Sequence, residues 1–420
     1  MSRFRKMSGI MMIAVLAVCL MAPGTVLAEK VLKIGCLAPL TGPSARTGGE
    51  IRDSAALAFE QHGNKIGDYK VELVWIDSQS DPAKATNAYA EAVERQGIQV
   101  GLLNWHSSVA IPVMDLAAKY KIPHLFGIGG TSVINEKYTS DPEKYGGYWL
   151  KSWPVPQKTM TGYIDCLEDL IKTGKFNPKN KKVVIFAEDT DWGRDILAGA
   201  RAMFTKAGWE VMSEDLIPQT QTEFYPLLTK WQEMEPSVAF GSVGIPPAIA
   251  SIVKQSREIN FQAQLICDGV GWMGEWYSMM GSASNGILDM IQQLATDEAK
   301  AWAKSFKEKY GYDPSPSSGG LAFDSANFFI KVAERTLEKH GELNSENLRK
   351  VVMEELLTGK LTYSAEDGAI TVARFRYTES SLPDPEVGIE DWYLPVIQYW
   401  DGKGEIIFPH AWATAEFKTR

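Results

Sequence analysis

Residues 100–132 (VGLLNWHSSVAIPVMDLAAKYKIPHLFGIGGTS) constrain the fold of this chain most strongly. An apolar run at 100–103 predicts a buried strand, apolar residues at helical spacing over 109–120 predict a helix, and 122–128 predicts a second strand. Both predicted strands run into serine, threonine or glycine. Ligands of open parallel sheets bind at that carboxyl edge, beside helix N-termini that favour anions. The stretch therefore predicts a small-molecule site on a β-α-β unit.

The same alternation continues along a chain of 420 residues, which is long enough for two domains with full cores. Two series of strand–helix alternations, separated near residues 151–156, predict an α/β protein with two Rossmann-like parallel sheets covered by helices. The Pro-containing segment 151–156 is the predicted first crossing between them. The predicted strands are 31–37, 71–76, 100–103, 122–128, 183–187, 211–217, 238–243, 264–267, 287–294, 393–400 and 405–408, and three late helices are predicted at 298–310, 322–340 and 345–355.

The first 28 residues predict a secretory signal peptide. Three basic residues within 3–6 precede an apolar run at 10–22, and 26–28 fits a cleavage site before Glu29. The apolar run is short for a membrane anchor, and Cys19 lacks the small preceding residue of a lipoprotein signal. We expect cleavage and export to the periplasm.

The charge of the mature chain limits its partners. Loss of the three basic residues of the signal peptide leaves 40 basic side chains against 52 acidic ones, a formal net charge of −12. No basic face is then available to neutralise phosphates, so we expect no nucleic-acid partner. Of the three remaining cysteines, Cys36 and Cys267 lie in apolar runs and Cys166 does not. We expect buried free thiols, with one disulfide at most.

Motifs for catalysis and metal binding are missing from the sequence. The five histidines have no metal-ligand spacing, and neither a phosphate-binding loop, a complete dinucleotide fingerprint nor a nucleophile elbow occurs. His106 beside Ser107 suggests a base and a nucleophile, but neighbours in sequence rarely align their side chains for that purpose. We therefore expect no enzyme activity, no catalytic residue, no metal and no cofactor.

The polar residues of the opening stretch have ordinary structural alternatives. Ser107 and Ser108 fit ligand binding, and they fit equally well the N-cap of the helix that follows. Thr131 is either a ligand contact or a turn hydroxyl. Four of the 13 tryptophans fall at or beyond predicted strand ends, where a cleft would lie: Trp105, Trp192, Trp272 and Trp276.

Residues 34–43 (IGCLAPLTGP) begin an ordered series of short motifs that spans nearly all of residues 30–400. The series resembles that of type I periplasmic solute-binding proteins of ABC importers, in the leucine/isoleucine/valine-binding branch. The other motifs are 77–82, 107–108, 129–131, 188–193 and 268–270.

The resemblance implies two lobes that are joined by three crossings and close on a ligand. Lobe I would comprise 29–151 and 290–362, and lobe II would comprise 152–289 and 363–420. It also implies a monomer that carries a small solute to a membrane permease.

The resemblance further implies roles for individual residues. Ser107 would hold a ligand carboxylate together with the Gly129 N–H and the Thr131 hydroxyl, because donors near a helix start favour anions. Asp268 would accept from an ammonium group and Trp192 would pack on the ligand. The rest of the predicted ligand-binding set is Thr47, Trp105, His106, Ser108 and Gly130.

Departures from the family pattern leave the ligand class open. Trp105 and His106 stand where relatives have small residues, and the segment at 244–246 replaces a tyrosine hydroxyl. An amino acid is the first expectation, because Asp268 supplies the charge that an ammonium needs. An amide, a urea or an aromatic carboxylate fits the same fold, and so does a sensory receptor.

Overall fold

Two sheets with helices packed on their faces form the structure, a computed structural model that describes residues 29–273, 275–292 and 296–420. The predicted α/β class with two parallel-sheet lobes is confirmed. The predicted signal peptide at 1–28 lies outside the described residues, as does the end of the strand predicted at 287–294.

The first lobe contains a six-stranded sheet. Its strands are β1 Lys30–Ala38, β2 Lys65–Ile66, β3 Tyr69–Asp77, β4 Val100–Leu102, β5 His124–Gly127 and β6 Trp149–Lys151. They lie in the order β2-β3-β1-β4-β5-β6, and only the β2–β3 pair is antiparallel. Its helices are α1 Ala45–Gln61, α2 Pro82–Glu91, α3 Ser107–Tyr120, α4 Ser132–Ser140 and α5 Pro142–Tyr145.

The second lobe repeats this alternation. Its first strands are β7 Lys182–Glu188, β8 Glu210–Ile217, β9 Val238–Ser242, β10 Gln264–Asp268 and β11 Leu288–Met290. All of β7 except its first residue is buried, as a strand covered by helices on both faces requires. Its helices are α6 Pro156–Thr159, α7 Thr161–Lys172, α8 Asp191–Lys206, α9 Tyr225–Glu233, α10 Pro246–Glu258 and α11 Trp276–Met280.

The later chain contributes to both lobes. Helices α12 Asp297–Tyr310, α13 Ser318–His340 and α14 Ser345–Val351 pack on the first lobe, the first two of them against α1. A small antiparallel pair, β12 Tyr363–Ser364 and β13 Arg374–Phe375, follows. The hairpin of β14 Val396–Trp400 and β15 Lys403–Phe408 completes the second sheet in the order β15-β14-β11-β10-β9-β7-β8.

The chain passes between the lobes three times: after β6, after β11 and between β13 and β14. A buried ion pair joins the first and third crossings, because Lys151 Nζ lies 2.8 Å from Asp384 Oδ1 and neither side chain is exposed. Lys158 Nζ lies 2.9 Å from the other oxygen of Asp384. The lobe boundaries themselves stay a prediction. The β12–β13 segment, predicted for lobe II, packs on α13 through the stacked rings of Tyr363 and Phe328.

Several elements differ from the prediction. The apolar spacing of the sequence predicts helices at 50–62 and 194–207, but α1 begins at Ala45 and α8 at Asp191. The α4, α5 and β6 elements were not predicted. The polar sequence of α4 (SVINEKYTS) hides its helical period. Cys36, Cys166 and Cys267 are buried and free, as predicted. Among the described residues, no helix has the length and apolar character that crossing a membrane requires.

Candidate functional site

A cleft lies between the two lobes, at the carboxyl ends of the parallel strands. This is the position expected for ligands of open α/β sheets. The first lobe and the first crossing contribute Trp105, His106, Ser107, Ile128 and Trp153. The second lobe contributes Glu188, Thr190, Trp192, Gly244 and Trp272.

The wall formed by the first lobe is held together by Asn104, which follows β4. Its side-chain nitrogen donates to the His106 carbonyl at 2.9 Å, and its oxygen accepts from the Gly129 N–H at 3.1 Å. The Ser107 hydroxyl accepts from the Thr131 N–H at 3.2 Å. This hydroxyl keeps its own proton for a ligand, at the start of a 14-residue helix that favours negative charge.

The start of helix α3 shows whether Ser107 or Ser108 is its N-cap residue. Helix α3 begins at Ser107, its N-cap residue is His106, and no side chain caps it. Neither Ser107 nor Ser108 is therefore the N-cap residue. Thr131 is the N-cap residue of α4, since its hydroxyl accepts from the Val133 N–H at 3.4 Å.

His106 is buried in the cleft wall, and its Nε2 atom has no hydrogen-bond partner. Burial lowers the pKa of the His106 ring to about 4, so the ring is neutral near pH 7. A neutral ring offers either a donor or an acceptor at Nε2, depending on its tautomer. The Ser107 hydroxyl is hydrogen-bonded to the Thr131 N–H and not to His106 Nε2. The His106 and Ser107 side chains, both described by the structure, therefore do not form a base–nucleophile pair.

Glu188 is the carboxylate of the second-lobe wall. It ends β7 and is 3% exposed. One of its oxygens accepts from the Thr190 hydroxyl at 3.0 Å, and the other accepts from the Gly244 N–H at 2.7 Å. Burial raises the pKa of Glu188, and these hydrogen bonds oppose the rise. The lining residues include no lysine or arginine to balance its charge.

Four tryptophans surround the remaining space. The Trp105 and Trp153 rings stand nearly perpendicular to that of Trp272, with centroids 5.8 and 6.0 Å away. The Trp192 ring lies 6.3 Å from Trp272 at 58°. Because α8 begins at Asp191, Trp192 sits in its first turn, where its Nε1–H donates to the Ser242 hydroxyl at 3.2 Å. The cleft is therefore lined by aromatic rings from both lobes.

The structure places Asp268 behind the cleft wall rather than on it. Its carboxylate accepts from the Ser242 hydroxyl at 2.7 Å and from the Tyr163 hydroxyl at 2.9 Å. A second buried carboxylate, Asp289, lies beside it and accepts from the Tyr399 hydroxyl at 2.8 Å. Burial raises the pKa of both carboxyl groups, and the Asp289 charge adds to the rise at Asp268. Asp268 is therefore not among the residues that line the cleft, and the ammonium contact implied for it stays a prediction.

Other predicted residues support the wall without lining it. The Gly129 N–H is already bonded to Asn104. A methyl group on Gly130 would lie 2.5 Å from the Trp192 ring, so only glycine fits. Ser108 and Thr47 lie on α3 and α1 outside the cleft lining, and Thr47 is buried. Of the predicted set, the structure brings Trp105, His106, Ser107 and Trp192 together on the cleft.

Sequence reasoning overlooked the roles of Glu188, Thr190 and Trp153. Glu188 and Thr190 belong to the motif at 188–193, from which only Trp192 was selected. Trp272 was singled out as a tryptophan beyond a strand end, and it lines the cleft. Trp276, selected in the same way, packs on Tyr399 with ring centroids 4.3 Å apart. Signals for the cleft residues were thus present in the sequence.

Contacts between the lobes surround the cleft. The Ser132 N–H and hydroxyl both donate to Asp195, each at 2.7 Å. The Thr131 hydroxyl donates to the Asp191 carbonyl at 3.3 Å. Arg46 of α1 pairs with Glu275 of the second lobe. We call the Ser132–Asp195, Thr131–Asp191 and Arg46–Glu275 contacts the rim contacts, and together they describe a closed arrangement.

Metal binding finds no support in the described part of the chain, which contains no group of three or more histidine, cysteine or acidic side chains able to hold an ion. The chemistry available in the cleft is hydrogen bonding, ring contact and one carboxylate charge.

Comparison with known proteins identifies the family. The pattern of the periplasmic binding protein family matches residues 31–378. The chain belongs to this family. It is 25% identical over 316 residues to a Leu/Ile/Val-binding protein homolog 6 of Brucella suis, which covers 73% of this chain and 76% of that protein. It is also 25% identical over 336 residues to a leucine-, isoleucine-, valine-, threonine- and alanine-binding protein of Pseudomonas aeruginosa, with coverages of 78% and 83%.

A solved structure agrees in fold. The ABC-transporter solute-binding protein of R. palustris in complex with benzoate matches with a TM-score of 0.73 at 18% identity, and the match covers 90% of this chain and 95% of that one. The resemblance to type I solute-binding proteins of the branched-chain amino acid branch is confirmed. These family members are solute-binding proteins rather than enzymes, and they act with ABC transporters in the periplasm.

Proposed function

We propose that this periplasmic binding protein holds a small amino-acid-like zwitterion in the cleft and delivers it to the permease of an ABC importer. The observation that carries the proposal is the unlike chemistry of the two walls. The first-lobe wall presents the Ser107 hydroxyl and the start of α3, which favour a carboxylate. The second-lobe wall presents the Glu188 carboxylate, which favours a cation.

Charge balance supports a cationic group in the ligand. Glu188 is buried, the cleft lining includes no lysine or arginine, and the low pKa of His106 leaves that ring neutral near pH 7. An isolated buried carboxylate is costly, and a cation held beside it offsets that cost. A ligand ammonium placed at Glu188 would neutralise that carboxylate, and the carboxylate of the same ligand would face the donors of the first-lobe wall. The role that the resemblance assigned to Asp268 therefore passes to Glu188.

Ligand-dependent closure supports delivery. The rim contacts join the lobes only when the cleft is shut, so a ligand that touches both walls favours the closed form. The permease would then distinguish the closed, loaded protein from the open one. A receptor that signals instead of delivering would use the same closure.

An aromatic carboxylate is the second candidate, because four tryptophans line the cleft. Benzoate is the ligand in the R. palustris structure described above. Such an anion has no cationic side chain to meet here, and it would share the cleft with Glu188. Charge balance therefore favours the zwitterion.

Mass spectrometry of the small molecule that co-purifies with the native protein tests the proposal. The protein is denatured, and the released solute is identified. We expect a small molecule that carries one carboxylate and one cationic nitrogen. Recovery of an aromatic carboxylate would support the second candidate, and recovery of an uncharged solute would contradict both.

A further inference from the structure

The supply of acceptors in the cleft restricts the kind of cation it can hold. A primary ammonium carries three N–H donors that each need an acceptor once buried. Each Glu188 oxygen already accepts one hydrogen bond, from Thr190 or from Gly244. The Ser107 hydroxyl already accepts from Thr131. About two acceptor sites then remain on Glu188 for the three N–H groups of a primary ammonium, so the lining side chains favour a cation that needs fewer acceptors.

Ring faces are the other surface that attracts a cation. Indole attracts cations more strongly than the other aromatic side chains, most of all in a site shielded from water. Trp105, Trp153 and Trp192 surround Trp272 with centroid distances of 5.8 to 6.3 Å, and two of them stand nearly perpendicular to it. Rings at such angles form the walls of a box rather than a stack. Glu188 lines the same space and adds negative charge.

Unpartnered groups indicate what the other end of the ligand carries. The Nε1–H groups of Trp153 and Trp272 and the Nε2 atom of His106 are buried, and they have no hydrogen-bond partner. All three side chains line the cleft. Because an indole N–H group only donates, a ligand that binds both tryptophans must supply an acceptor, such as a carboxylate.

We propose that the ligand is a betaine-type zwitterion, with an N-methylated ammonium inside the four-tryptophan box beside Glu188 and a carboxylate that accepts from the unpartnered donors. This inference rests on the proposed receptor function and narrows its ligand class. Methyl groups on the nitrogen replace N–H donors that would each need an acceptor, and they fill the space between the rings. The positive charge spreads over those methyl groups and meets the ring faces.

Calorimetric titration with a matched pair of ligands tests this. Glycine betaine and 3,3-dimethylbutanoate have the same shape and the same carboxylate, and they differ in whether the central atom is a charged nitrogen or a neutral carbon. We expect betaine to bind at least tenfold more tightly. Equal affinities would overturn the inference, since rings that serve only as an apolar surface do not distinguish the two.

A second arm separates this inference from the proposed function. Glycine, leucine, N,N-dimethylglycine and benzoate are titrated under the same conditions. Affinity that rises with methylation of the nitrogen supports the inference. Leucine or glycine binding more tightly than the methylated ligands would overturn it while leaving the proposed function standing. Binding of benzoate and of no zwitterion would overturn both.

Trp105 provides the matched variants, because it is the partly exposed member of the box and its replacement is least disruptive to folding. We expect betaine affinity to fall from the wild type to Trp105→Phe and further to Trp105→Leu. The neutral isostere should show no such order. Trp412→Leu, at an exposed tryptophan far along the chain, is the control and should leave both affinities unchanged. A Trp105→Leu protein that keeps full betaine affinity would contradict the claim that the four tryptophan rings hold the ligand cation.

Discussion

Glu188 and Asp268 end two strands of the same sheet, and both are buried, yet only Glu188 faces the cleft. Strand register explains the difference. Ser242 of β9 pairs with Ala187 of β7 on one side and with Asp268 of β10 on the other. Glu188 therefore lies one residue beyond the level of Asp268. Because side chains alternate along a strand, that single step directs the two carboxylates to different surroundings.

The comparison teaches that a carboxylate at a strand end is not by itself a ligand contact. Asp268 shares a buried network with Ser242, Tyr163 and Asp289, which uses its acceptor capacity inside the lobe. Glu188 uses part of its capacity on Thr190 and Gly244 and keeps the rest at the cleft. One carboxylate stabilises the wall, and the other is available to the ligand.

The largest expected effect separates these two carboxylates directly. Glu188→Gln removes the charge that balances the ligand cation, and charge-assisted contacts are worth about 1.5–3 kcal/mol, or roughly 10- to 150-fold in affinity. Asp268→Asn is the matched control, and we expect less than about a threefold change. Titration calorimetry with the co-purified ligand measures both. A larger loss at Asp268 than at Glu188 would reverse the assignment.

A smaller effect is expected on the first-lobe wall, where adjacent serines provide the comparison. Ser107→Ala removes a hydroxyl that lines the cleft, and we expect a loss of affinity of about 3- to 10-fold, from a hydrogen bond of about 1 kcal/mol. Ser108→Ala, one residue further along α3 and outside the cleft lining, should bind as the wild type does. Wild-type affinity in both variants would mean that the backbone N–H groups of the helix start, and not the Ser107 hydroxyl, hold the ligand.

Closure itself is expected to contribute less. Ser132→Ala deletes one of the two hydrogen bonds that Asp195 accepts across the rim, so the closed form becomes less populated. We expect about a threefold loss of apparent affinity, measured by ligand titration. Ser140→Ala at the exposed end of α4 serves as the control. A Ser132→Ala protein with the apparent affinity of the wild type would show that the rim contacts do not assist binding.

The smallest expected effect is on stability and concerns the buried Asp268–Asp289 pair. Burial raises the pKa of both carboxyl groups, and the Asp289 charge adds to the rise at Asp268, so between the ordinary and the raised pKa values the folded protein keeps a proton that the unfolded chain releases. The folded state then binds more protons, and its free energy of unfolding falls as pH rises through this window. In the Asp268→Asn variant, the free energy of unfolding should decrease less as the pH rises.

Urea unfolding of the wild type and of the variant at about pH 5 and about pH 7 measures how strongly the free energy of unfolding of each depends on pH. Asp297→Asn, at an exposed side chain, is the control. A variant with the same pH slope as the wild type would mean that Asp268 stays ionised in the fold.

Much of this molecule could be predicted from its sequence, because apolar runs mark buried parallel strands directly. Strands β1, β3, β7, β9 and β10 begin and end close to the predicted positions. Helix α4 was missed because its polar residues hide the period, and its start depends on Thr131 contacts made by folding.

The site was only partly predictable for the same reason. Ser107, His106, Trp105 and Trp192 adjoin strand ends and could be selected from local sequence. Choosing Glu188 over Asp268 requires the registers of three strands, which are set by tertiary packing. Trp153 lies on a crossing, and its approach to Trp272 of the other lobe depends on how the lobes close.

The most direct test is a crystal structure of the protein with its co-purified solute in the cleft. We predict that the cationic nitrogen of the solute lies within about 6 Å of the tryptophan ring centroids and beside the Glu188 carboxylate, with its own carboxylate at Ser107 and at the unpartnered donors of the cleft. Asp268 should keep its bonds to Ser242 and Tyr163 and make no ligand contact. A solute whose nitrogen contacts Asp268, or whose carboxylate faces Glu188, would contradict the account.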